Sequence, residues 1–217
     1  MHKIQEVGGY LRVWFAPGMT KQLLSCGLGM LLILVGAPGA KADWEATMVV
    51  NIPDKAAMEG HIRMGKDKVR LDITSPMAMS SIFHTDKGKA FTLMHAMKML
   101  VETDVKQLDS QIPMCKTSEI DACLSKQGYK KTGTAKIGNY DCDVYEAKMD
   151  RKGKTMLVKL WRPKTLKEVP AIRVEATPQG ESMISTHLKD ISVGNQALSY
   201  FEVPKDYRNM GAMKLPG

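Results

Sequence analysis

Beyond residue 43 the chain alternates apolar and polar residues with a period of two. In "HIRMGKDKVRLDI", Val69, Leu71 and Ile73 fall on one side and Lys68, Arg70 and Asp72 on the other. This is the signature of a strand with one buried and one wetted face. Similar runs, "ATMVVNI", "MEGHIRMG", "KVRLDIT", "MSSIFHT", "AFTLM" and "MLVETD", are separated by turn residues at Pro53-Asp54, Gly65-Lys66-Asp67, Pro76 and Asp86-Lys87-Gly88. In "TSEIDACLSKQG" the rhythm changes to a short helix, with Ser118 and Asp121 at capping-box spacing and Gly128 as a stop. Strands resume as "KTGTAKIG", "CDVYEAKM", "MLVKLWR", "AIRVEAT" and "SMISTHLKDISV". About ten strands in one sheet must curl or close. The pattern predicts a mainly β fold, one antiparallel sheet curled into a half-open barrel with a small helical insert. Its hollow side would be apolar.

The start of the chain follows a different rule. Lys21, an apolar run from Leu23 to Val35, Gly36 and Pro38, and then "AKA" read as a secretory signal peptide cleaved after Ala42, with Met19 as the start of translation. Residues 1–42 are thus an N-terminal extension and leader, and 43–217 a single domain. The apolar run falls short of the roughly 20 residues a spanning helix needs. The chain has 31 basic and 23 acidic residues, net +8. The leader holds Lys3, Arg12, Lys21 and Lys41 against Glu6, so the domain keeps a net charge of +5. That mild excess fits transient contact with an anionic membrane, and ordinary solubility accounts for it equally well. There is no basic stripe interleaved with aromatics, so no nucleic-acid partner is expected.

Export makes a disulfide expected. Among Cys115, Cys123 and Cys142, the nearest pair in sequence is Cys115 with Cys123. Cys142 is either a buried thiol or a bridge partner. No H-E-x-x-H, G-x-S-x-G, P-loop or C-x-x-C occurs. The expectation is a non-enzyme without a cofactor, acting as a monomer.

Four stretches, "GHIRMGKDKVRLDI", "KTGTAKIGNYDCDVYEAK", "LWRPKTLKEVPAIRVEA" and "LKDISVGNQALSYFEVPKDY", in this order across residues 43–207, resemble the LolA-like periplasmic family of lipoprotein-sorting carriers and lipid-binding relatives. They are most similar to an uncharacterised exported subgroup. The resemblance implies an unclosed barrel whose inner face holds lipid or lipoprotein acyl chains under a helical lid, without catalysis and in the periplasm. It implies a polar contact from Arg70 to the lid or a strand edge, against the alternative of a solvated charge paired with Asp72. Two features differ from the family pattern. "DWEATMVV" opens a strand where a long amphipathic helix is usual, and Lys205-Asp206 stand before Tyr207 where a glycine is common.

Methionine marks the remaining candidates. The chain has 17, and Met48, Met58, Met64, Met77, Met79, Met99 and Met156 fall on or beside predicted strands. The thioether is flexible and polarizable and adapts to irregular ligands. Met48, Met64, Met77, Met79, Met99 and Met156 are candidates for lining the hollow, with core packing as the alternative. In "MHAMKM", the set Met94, His95, Met97 and Met99 offers thioether and imidazole donors of the kind that hold Cu(I). Trp161, Phe201, Pro204 and Tyr207 are expected to pack the core and close the sheet edge.

Overall fold

The computed structural model describes residues 43–75, 78–104, 120–151 and 154–212. Twelve strands occur there: β1 (Trp44–Asn51), β2 (Met58–Met64), β3 (Lys68–Ile73), β4 (Met79–His84), β5 (Lys89–Met94), β6 (Met99–Asp104), β7 (Lys130–Ile137), β8 (Tyr140–Arg151), β9 (Lys154–Pro163), β10 (Arg173–Pro178), β11 (Ile184–Val193) and β12 (Arg208–Ala212). One α-helix, α1 (Ile120–Lys126), lies between β6 and β7. The strands form a single sheet in the order β12-β6-β5-β4-β3-β2-β1-β11-β10-β9-β8-β7. The molecule is mainly β, one large sheet curled into a half-open barrel with one small helix.

Two meanders, β1 to β6 and β7 to β11, are joined by the antiparallel pairing of β1 with β11. That pairing slips by a bulge between Glu45 and Thr47, and Asp190 opposite it adopts a positive φ of 50°. The expectation of a purely antiparallel sheet needs one correction. β12 pairs with β6 in parallel. "RNMGA" carries no alternation, and Gly211 has a φ of 86°, so periodicity gives no strand signal there.

Residues directly opposite on paired strands share a face. The inner face carries the large core: Trp44, Ala46, Met48 and Val50 of β1, Ile62 and Met64 of β2, Val69 and Leu71 of β3, then Val158, Leu160, Val174 and Ala176. Ile120 and Leu124 of α1 join this core. Gly60 is required in β2 because a Cβ there would lie 2.5 Å from the Asp72 carbonyl oxygen. The outer face holds a second cluster, in which Ile82, Leu93 and Leu100 are covered by Phe201 from the C-terminal segment.

The helix ends as its sequence demands. Gly128 has a φ of 83°, and the Tyr129 N–H returns to the Leu124 carbonyl at 2.9 Å. The proposed capping box with Ser118 lies outside the described residues, and Asp121 reaches the sheet. Its carboxylate accepts the Tyr145 hydroxyl at 2.6 Å and Arg162 Nη1 at 2.9 Å, docking α1 onto β8 and β9. Ser118 lies outside the described residues, as do Cys115, Met77 and the whole leader. Cys123 is disulfide-bonded. Cys142 is a free, buried thiol whose pKa is raised chiefly by desolvation. Among the described residues no helix is long and apolar enough to cross a membrane.

Candidate functional site

The ends of the curled sheet differ in chemistry. At the end bearing the loops 52–57 and 95–98, the inner face is rich in methionine. Met79 of β4 lies opposite Met94 of β5, and Met94 opposite Met99 of β6. Met58 opposes Val50, and across the sheet Met149 of β8 opposes Met156 of β9. All six methionines are half-buried. The contacts that Asp121 makes to Tyr145 and Arg162 place α1 over the β8 and β9 part of the inner face.

The six candidate lining methionines therefore separate. Met48 and Met64 are only 1% and 3% exposed and belong to the packed core. Met79, Met99 and Met156 sit at the half-exposed end, and Met77 lies outside the described residues. Met58, Met94 and Met149 complete the set. Their inward orientation follows from the strand register, which the sequence alone does not supply.

Three unpartnered polar atoms lie within this core, among them Trp44 Nε1. Thr186 Oγ1, on a side chain with no exposure, and the hydroxyl of Tyr129, a residue only 3% exposed, have no hydrogen-bond partner among the described residues. Burial alone drives the Tyr129 pKa upward. Thr186 is opposite Val50 and Val174. Replacing it by valine removes an unsatisfied hydroxyl at nearly constant shape. Thr186→Val is expected to raise stability by about 1 kcal/mol, measured by urea unfolding. A loss of similar size would show that this hydroxyl is satisfied in solution.

Arg70 faces outward. It donates to Asp72 at 2.7 Å, to the Tyr200 carbonyl at 3.0 Å and to Ser80 Oγ at 3.3 Å. Its described partners are thus Asp72, Ser80 and the C-terminal segment, on the face opposite α1. Asp72 also accepts Arg63 Nη1 at 2.8 Å, while Arg63 stacks on the Tyr200 ring at 4.5 Å. Next to these lies a four-residue relay. Ser80 Oγ lies 2.5 Å from Asp72 Oδ1 and 2.7 Å from His95 Nε2, and His95 Nδ1 lies 2.5 Å from the Tyr207 hydroxyl.

Donor counting orders that relay. A carboxylate only accepts, so the serine proton goes to Asp72 and His95 Nε2–H donates to serine; with the imidazole neutral, Tyr207 donates to Nδ1. The serine is therefore placed between histidine and aspartate, its proton directed away from the imidazole. It is also fully buried. This is a fastening for the C-terminal segment and lacks the geometry of a nucleophile with its base.

The relay also divides the set Met94, His95, Met97 and Met99. Both His95 nitrogens are occupied on the outer face. Met97 is exposed in the loop, and Met94 and Met99 point inward. The four donors do not converge. Trp161 is buried on the outer side of β9, between Lys159 at 5.3 Å and Arg173 at 5.1 Å.

A family model described as "Domain of unknown function (DUF4412)" matches residues 45–177. Among solved structures, an uncharacterized conserved protein from Thermus thermophilus aligns with a TM-score of 0.55 at 10% identity, over 88% of this chain and 98% of its own. At that identity the likeness concerns the fold alone. A LolA superfamily protein from Nitrosomonas europaea gives a TM-score of 0.40 at 12% identity, over 80% of this chain and 97% of its own. LprF from Mycobacterium bovis gives 0.39 at 8%, over 84% and 98%. No curated protein matches the sequence.

Proposed function

The chain belongs to the Domain of unknown function (DUF4412) family, and from that premise we propose that it is a non-enzymatic binding protein for an apolar ligand, the acyl chains of a lipid or lipoprotein, working outside the cytoplasm. One observation carries this reading: the inner face is apolar, and its methionine end is half-exposed. Met48, Met64 and the rest of the deep face are already covered by the chain itself. Ligand contact therefore begins at the methionine end. Each buried CH₂ contributes about 0.8 kcal/mol, so a few carbons of an acyl chain suffice for measurable affinity.

The test uses delipidated protein and a fluorescent probe with a saturated acyl tail. Saturable binding is expected, weakened about tenfold by replacing Met79 and Met156 with glutamine, because each substitution puts an amide where a thioether meets hydrocarbon. Protein that takes up no probe, and from which mass spectrometry recovers no lipid, overturns the reading.

A further inference from the structure

The register at the methionine end supports a second kind of ligand there. Met79, Met94 and Met99 lie directly opposite one another on three adjacent strands and on one face. Directly opposed side chains begin about 4.5–5.5 Å apart. Two strand spacings of about 4.8 Å separate the flanking pair. The methionine side chain is long and flexible enough to reach across that span toward the central one. Lys98, at a φ of 46°, closes the turn between β5 and β6 and sets Met94 against Met99.

We propose that Met79, Met94 and Met99 form a three-thioether site for a soft monovalent metal ion, Cu(I) or its analogue Ag(I). The donor set decides the class of ion. Thioether sulfur is soft and uncharged and selects Cu(I) over hard or borderline divalent ions. The nearby imidazole is engaged elsewhere, since both nitrogens of His95 are held by Ser80 and Tyr207. Among the described residues no group of three or more His, Cys, Asp or Glu side chains is placed to hold a metal ion. All three methionines are half-buried, so an ion can arrive from solvent and still be partly shielded.

Leucine keeps the apolar volume of methionine and removes the sulfur, so it isolates the contribution of the thioethers. The experiment titrates Ag(I) into the purified chain, against a chromophoric competitor, and repeats it with Cu(I) under reducing conditions. One tight equivalent is expected. The triple variant Met79→Leu, Met94→Leu, Met99→Leu is expected to lose at least tenfold in affinity for the ion while keeping its far-UV spectrum. Met97→Leu is expected to bind as the parent does. Absence of a stoichiometric ion in the parent, or unchanged binding in the folded triple variant, overturns the proposal. Either result leaves the acyl-chain reading to its own test.

Discussion

Replacing Phe201 by alanine is expected to lower stability by about 3–5 kcal/mol, the range for deleting a fully buried phenyl ring. Phe201 is only 1% exposed and is the one buried residue of the outer cluster supplied from outside β4, β5 and β6. Its ring sits against Gly65, where a Cβ would approach it to 3.1 Å. Its carbonyl accepts His84 Nε2 at 2.8 Å. Without the ring, Ile82, Leu93 and Leu100 lose their cover and the segment leading to β12 loses its anchor. The parallel pairing of β12 with β6 then has little to hold it, and β6 becomes an open edge prone to intermolecular pairing. Urea unfolding measures the loss, and limited proteolysis is expected to cut between residues 195 and 207 in the variant first. A cost below about 1 kcal/mol would mean that the outer face repacks without its aromatic cover.

The contrast between strands and tail shows what alternation can reveal. Val69, Leu71 and Ile73 announce both a strand and the face it buries, because a side-chain period of two is a property of the backbone. Turn chemistry likewise locates the β2–β3 turn and the helix stop at Gly128. Neither signal reveals β12, where Asn209, Gly211 and Ala212 carry no apolar period, nor the covering role of Phe201, which depends on a return across the sheet. The site is legible only in residue type. Methionine abundance points to adaptable apolar surface, but the grouping of Met79 with Met94 and Met99 is set by strand register. The cluster "MHAMKM" looks like a unit because its residues are neighbours in sequence. His95 opens the 3-10 turn after β5 and bonds on the outer face, so it leaves the set, while Met79, directly opposite Met94, enters it.

Asp72→Ala is the other substitution with a large expected cost, because one carboxylate holds two cations and a hydroxyl. The Arg63 and Asp72 side chains are each 20% exposed, and that of Arg70 is 19%. Removing the anion takes the shared counter-charge from two mostly buried guanidinium groups, a loss that costs about 3–5 kcal/mol when burial is complete. Residual solvent and the ion pair from Arg63 to Glu45 at 3.3 Å reduce that to about 2–4 kcal/mol. Ser80 loses its acceptor as well, so its proton is free to turn toward His95 Nε2. The imidazole then has to change tautomer, and Tyr207 at the far end changes from donor to acceptor. Asp72→Asn is expected to cost less, since one carbonyl oxygen still accepts from Arg70 or Ser80. Tyr207→Phe, which removes only the last link, is expected to cost about 0.5–1.5 kcal/mol. A double-mutant cycle of Asp72→Asn with Tyr207→Phe is expected to show coupling above about 0.5 kcal/mol, as members of one hydrogen-bonded chain should. Additive costs would show that the four groups act independently.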